Sequence, residues 1–195
     1  MDKLFYKENA GEENRSFGSV KEDAQSITES FYNIHIQRVS RLKELIKIPR
    51  ENECTFIWSL NSFNAFTFIP FCIAKFGQIE ELYLSTYSIN LRIINALIKE
   101  IDNKNVLKAH IFISESIKIR QYQLIEHLES QVNNRENITV SYGWNHSKVT
   151  CAKCKENYLI FEGSGNWSEN SRYEQYVLVN SKTVFYFRKN IITNE

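Results

Sequence analysis

The chain has almost no net charge, few cysteines, no long apolar run and no internal repeat, and each absence removes a class of function. Twenty-four Lys and Arg stand against 23 Asp and Glu, a formal net charge of +1. There is no global polyanion-binding signal, so any contact with nucleic acid must come from a local basic patch. The four cysteines, Cys54, Cys72, Cys151 and Cys154, are too sparse for a disulfide scaffold. The longest apolar run, Phe63 to Ala74, contains Pro70 and falls short of the ~18 residues that a spanning helix needs. Met1-Asp2-Lys3-Leu4-Phe5 is followed by Lys7, Glu8, Glu12 and Glu13, without the apolar core of a secretory leader. The expectation is a reduced, cytoplasmic protein with no membrane span.

What is present is enough apolar material for a real core. Of 195 residues, 43% are apolar and 13% aromatic, which suits one domain with an N-terminal extension. Residues 1–18 are polar and charged, with Gly11 and Gly18, and read as a flexible tail. Ser19-Val20-Lys21-Glu22 has the pattern of a capping box. Val20, Ala24, Ile27, Phe31, Ile34, Val39, Leu42 and Leu45 continue at mostly helical spacing, predicting an N-terminal helix within 19–50 that Pro49 ends. This helix either packs on the domain or serves in dimerisation.

From residue 51 to 195 the pattern is that of an α/β domain. Cys54–Leu60 reads as a buried strand, Asn64–Lys75 as a helix ended by Gly77, and Glu81–Thr86 as a strand. Ile89–Ile101 and Ile117–Val132 have helical apolar faces, and Val106–Ile113 and Ile138–Tyr142 are strand-like. The alternation predicts a mixed sheet covered by helices. Ser147–Ala152 and Asn157–Phe161 form a hairpin, and Tyr173–Asn180 another strand. Ser181–Ile192 reads as a closing helix, although Val184-Phe185-Tyr186-Phe187 fits a strand equally well.

Chemistry concentrates in residues 146–174. His146 and Lys148, two apart, share one face if they lie on a strand. The imidazole is a nucleophile and the ammonium a fixed positive charge. Gly163-Ser164-Gly165-Asn166 adds a hydroxyl, an amide and closely approachable backbone N–H groups. Glu174 then opens an apolar strand, Gln175-Tyr176-Val177-Leu178-Val179. These elements make a phosphate-binding site with a nucleophile in it.

Their order resembles the signature of the phospholipase D superfamily: H-x-K, an Asp, G-S-x-N, then a Glu at the start of a later strand. The match covers His146, Lys148, Ser164, Asn166 and Glu174. Lys153 stands where the family has its Asp, and the Gly-Ser arrives three residues late. The resemblance implies a phospholipase D-like mixed sheet and phosphoryl transfer that needs neither metal nor cofactor. His146 becomes the nucleophile, forming a phosphohistidine. Lys148, Ser164 and Asn166 bind phosphate, and Glu174 orients His146 through the ring's other nitrogen. Family members often carry two motifs in one chain; a single motif implies a homodimer that brings two copies of His146 together. The leading expectation is a nuclease. The alternatives are a degenerate nucleic-acid-binding or adaptor protein and a lipid phosphodiesterase.

Other residues have two readings each. Trp144 and Trp167, which flank the motifs, either line a cleft and stack on bases or anchor the core. Arg172 extends the phosphate surface or is solvated. Cys151 and Cys154 are a metal or redox pair, or ordinary hairpin residues on opposite faces of a strand. Of His35, His110 and His127, only His110 is a candidate second acid.

Overall fold

A computed structural model describes residues 46–59, 64–168 and 174–194. The expected tail over 1–18, most of the expected helix over 19–50, His35 and Arg172 lie outside the described residues. Residues 46–50 carry no regular structure; the chain enters with Ile46 buried, and the Pro49 carbonyl accepts a hydrogen bond from Asn180 Nδ2 at 3.1 Å.

Among the described residues seven strands form one mixed sheet: β1 (Glu53–Ser59), β2 (Glu81–Thr86), β3 (Ala109–Ser114), β4 (Ile138–Gly143), β5 (Val149–Cys154), β6 (Asn157–Gly163) and β7 (Glu174–Asn180). Their spatial order is β1-β7-β6-β5-β2-β3-β4. The β2–β3 and β3–β4 pairs are parallel, and all others are antiparallel. Helices α1 (Phe68–Phe76), α2 (Leu91–Asp102), α3 (Glu115–Arg120) and α4 (Tyr122–Asn133) precede or join the parallel strands, and α5 (Lys182–Thr193) closes the chain. Crossover helices are what parallel neighbours require.

Helix α2 forms because its apolar residues recur on one side, whereas α1 is buried at five consecutive positions, Phe68 to Cys72. In α2, Ile93, Ile94, Leu97, Ile98 and Ile101 are buried, and the Asn90 side chain caps the first turn by accepting from the Ile93 N–H at 3.0 Å. This face meets Leu82 and Leu84 of β2 and Ile111 and Ile113 of β3 in the main core. On the opposite sheet face, Phe185 and Ile192 of α5 are buried with Tyr83, Val149, Cys151 and Ile160. Their spacing of seven settles the closing segment as helix.

Two expectations need correction. Cys54–Leu60 is not a buried strand: β1 lies at the sheet edge beyond the cover of α5, leaving Cys54, Phe56 and Trp58 exposed. The single helix over Ile117–Val132 is two helices, because Gln121 leaves the helical region at φ −134° and ψ 57°. The β5–β6 hairpin turns on Lys155-Glu156, with Lys155 at φ 54°.

Candidate active site

The alternating strand directions bring the C-terminal ends of β1, β2, β3, β4 and β6 and the N-terminal ends of β5 and β7 to one edge of the sheet. The motif residues gather there. His146 lies in the connection between β4 and β5, before the strand begins, so its position is set by that loop and not by strand alternation.

Asn145 fixes the loop. It is buried, and its Nδ2 donates to Ser85 Oγ at 2.7 Å, to the Thr86 carbonyl at 3.3 Å and to the Phe112 carbonyl at 3.2 Å. Its Oδ1 accepts from the Ser147 N–H at 2.8 Å and the Ser147 hydroxyl at 2.7 Å. One amide thus ties β2, β3 and the loop together and aims the next residue outward. The exposed His146 ring rests on Tyr87, ring centroids 4.7 Å apart.

Lys148 Nζ reaches His146 Nδ1 at 3.1 Å and donates to the His146 carbonyl at 2.8 Å. An ammonium can only donate, so Nδ1 accepts and a neutral ring carries its proton on Nε2. Partial burial lowers the pKa of Lys148, while Glu174 and Tyr87 act in the opposite direction. The Glu174 carboxylate is therefore close enough for Lys148 to feel its charge. Its Oε2 accepts the Ser164 hydroxyl, and that oxygen in turn accepts the Gln175 N–H at 3.1 Å.

The Gly-Ser turn is shaped by close backbone approach. Gly163 N–H donates to the Lys148 carbonyl at 3.2 Å, and a Cβ at position 163 would lie 2.0 Å from the Gln175 carbonyl oxygen. Only glycine fits. The turn is then pinned by Trp167, which is 0% exposed: its N–H donates to Thr86 Oγ1 at 3.2 Å and its indole N–H to Thr150 Oγ1 at 3.0 Å. Between these anchors sits Asn166, whose Oδ1 is buried without a hydrogen-bond partner among the described residues.

The structure thus brings together His146 with Lys148, and Ser164 with Glu174, on adjacent strand ends, with Asn166 on the same turn. It does not place Glu174 against the imidazole: among the described residues His146 contacts Lys148 and Tyr87. Lys153 lies at the far end of β5, roughly 16 Å from Lys148 at about 3.3 Å per residue. There it pairs with Glu80 at 2.7 Å and Glu81 at 3.7 Å. Position 153 is therefore remote from His146. His110 is not at the site; its two ring nitrogens bond Thr139 Oγ1 and Ser141 Oγ, each at 2.8 Å. His127 bonds Asn95 on the helical surface.

The two tryptophans divide: Trp167 is core, while Trp144 is 91% exposed at the site edge. Cys151 and Cys154 face opposite sides of the sheet in separate core clusters, and burial raises the Cys151 pKa. Burial also raises that of Cys72, helped by hydrogen bonding with Cys154, so two cysteines from elements distant in sequence meet as thiols. Among the described residues no cluster of His, Cys, Asp and Glu could hold a metal ion, and no helix is long and apolar enough to cross a membrane.

Sequence reading missed Tyr87, Arg120 and Asn145. Arg120 Nη2 donates to the Tyr87 hydroxyl at 2.5 Å and to Ser116 Oγ at 3.1 Å, and its Nε donates to the Ser116 carbonyl at 3.2 Å. Hydrogen bonds from Ser116 and then Arg120 lower the Tyr87 phenol from its ordinary value of 10.0. Nothing in the spacing of residues 87 and 120 signals this; only the parallel β2–β3 pair brings the loops together.

Polyphosphate kinase from Porphyromonas gingivalis is similar over 73% of this chain and 26% of its own, with 12% identity and a TM-score of 0.50. The fold is phospholipase D-like. Phosphatidylserine synthase from Haemophilus influenzae Rd KW20 aligns over 74% of this chain and 38% of its own, at 10% identity and a TM-score of 0.46. Both proteins are members of the phospholipase D superfamily. The chain spans well under half the length of either. No protein-family model and no curated protein matches it.

Proposed function

We propose that this chain is a phosphodiesterase that transfers a phosphoryl group through His146 without a metal. The observation that carries the reading is the meeting of His146 and Lys148 at 3.1 Å beside the Ser164–Glu174 pair, at the strand ends of a phospholipase D-like sheet. Its likeness in fold to a polyphosphate kinase accords with phosphoryl chemistry.

In this reading a phosphodiester enters with its nonbridging oxygens toward Lys148, Ser164 and Asn166. Lys148 moves from Nδ1 onto the phosphate, which frees Nδ1 to hold the ring proton and leaves Nε2 with its lone pair. Nε2 attacks phosphorus, an N–P bond forms, and the P–O bond to the leaving alcohol breaks. The departing oxygen takes a proton from a general acid. Water then attacks the phosphohistidine, its proton passes to the same group, and the imidazole is released. With one motif per chain, the acid is His146 of a second copy in a symmetric dimer. The proposed substrate is nucleic acid.

Cleavage of a labelled DNA or RNA oligonucleotide in EDTA tests this. His146→Asn should abolish cleavage and retain binding, and Lys148→Ala should lower kcat about 10²–10³-fold. Cleavage by His146→Asn at the wild-type rate would falsify the assignment.

A second reading is a binding protein that keeps the fold and phosphate pocket without turnover. It is favoured by one observation: Glu174, the expected orienting carboxylate, is engaged by the Ser164 hydroxyl. Salt-sensitive retention of DNA with no cleavage under any condition would select it.

A further inference from the structure

The rim beyond His146, on the β2–β3–β4 side, carries a series of exposed and half-buried aromatic and cationic side chains that phosphate binding alone does not require. Tyr87 leans on the imidazole at 4.7 Å between centroids. Lys148 Nζ stands 5.7 Å from the centre of the Tyr87 ring and the Arg120 guanidinium 5.2 Å from it. Arg120 is exposed and held by neutral acceptors, Ser116 and Tyr87; among the described residues no carboxylate neutralises it. Tyr122, 67% exposed, shares with Arg120 the wall of a shallow depression of about 360 Å³. Trp144 is 91% exposed only two residues before His146.

These residues come from the loops and helices that follow three different strands, and the parallel topology delivers them to one edge. A phosphate monoester would need the cations but not the aromatics. A duplex hides its bases and offers them nothing to stack on. A single strand presents a phosphate and an unstacked base at each step, and aromatic platforms interleaved with cations suit both. Arg120 is held in a fixed orientation, which lets its remaining donors meet a phosphate without first being ordered.

We propose that Trp144, Tyr122, Tyr87 and Arg120 form a track that binds single-stranded nucleic acid and leads it to His146. Trp144 and Tyr122 stack on bases, Arg120 binds a phosphate adjacent to the one at Lys148, and Tyr87 links the track to the imidazole. The assignment rests on the reading of His146 and Lys148 as a phosphate site.

The test is fluorescence anisotropy with a labelled oligothymidylate and a duplex of equal length, using full-length protein with His146→Asn so that the probe stays intact. The single strand should bind more tightly than the duplex. Trp144→Ala and Tyr122→Ala should each weaken single-strand binding about tenfold. Arg120→Ala should reduce the dependence of log affinity on log salt by about 0.7. Phe56→Ala removes an equally exposed aromatic away from the track and should change nothing. Unchanged single-strand affinity in both Trp144→Ala and Tyr122→Ala, or an equal loss with Phe56→Ala, overturns the track. Cleavage by the wild-type protein separates the two claims. Aromatic-dependent binding without cleavage keeps the track and removes the catalytic reading. Cleavage with binding indifferent to the aromatics keeps the site and removes the track.

Discussion

Asn145 is the residue on which the candidate site depends most and which its sequence neighbourhood advertises least. Its amide joins the Thr86 and Phe112 carbonyls and Ser85 on one side to the Ser147 N–H on the other. Removing it takes away these bonds at a buried position, a loss of about 1–3 kcal/mol for a buried group left unsatisfied. Asn145→Ala should therefore unfold at lower urea concentration and lose activity beyond what His146 exposure alone explains. A denaturation midpoint equal to wild type would show that the loop is held by something else. Tyr87 gives a second residue-scale prediction. Its phenol ionises below the ordinary value because Ser116 and Arg120 favour the phenolate. A depressed acid contributes stability above its unfolded pKa and loses it as pH falls through the folded one. The contribution is thus present above 10.0 and is lost as pH falls through the lower folded value. Ultraviolet titration of tyrosinate should show one early-ionising tyrosine, and Arg120→Ala should shift that step upward; an unshifted titration refutes the contact.

At the scale of elements, the sequence was most legible where periodicity alone decides structure. The apolar stripe of α2, from Ile93 to Ile101, and the strand at Glu81–Thr86 could be read directly, because one helix face and one strand are local properties. Edge position is not local. Nothing in Cys54-Thr55-Phe56-Ile57-Trp58 states that β1, among the described residues, pairs only with β7, so its apolar residues look buried although Cys54, Phe56 and Trp58 are exposed. The break at Gln121 is hidden for a similar reason: the apolar spacing continues through it, and the kink is visible only in the backbone. The motif itself was legible as residue types, while its wiring was not. Ser164 and Glu174 are ten apart in sequence, and their hydrogen bond follows from β6 and β7 being neighbours, with Ser164 N–H also bonded to the Gln175 carbonyl. Gly163 lies at that junction. Gly163→Ala would press a methyl to within 2.0 Å of a backbone oxygen, so β6 and β7 must separate. The expected result is loss of both stability and activity, whereas Gly77→Ala, with open space around it but φ at 88°, should cost stability alone. Full activity in Gly163→Ala would mean that the Gly-Ser turn does not shape the site.

For the whole molecule, topology is what turns scattered residues into a site. The parallel β2–β3–β4 strands release Tyr87, Arg120 and Trp144 at the same edge where the antiparallel β5, β6 and β7 place Lys148, Ser164 and Glu174. A net charge of +1 gives no sign of this, because it sums 24 Lys and Arg against 23 Asp and Glu over the whole chain and does not say where the charges stand. The overall charge thus says little about what one edge of the sheet can bind. Whether His146 attacks phosphorus is decided by trapping the intermediate. Wild-type protein is mixed with an oligonucleotide substrate in EDTA, quenched at alkaline pH where phosphohistidine survives, digested, and the peptide carrying His146 is weighed. A nucleotide or oligonucleotide joined to His146 through phosphorus should appear during turnover and be absent in His146→Asn. Turnover with His146 unmodified, or activity that vanishes in EDTA and returns with magnesium, would contradict it.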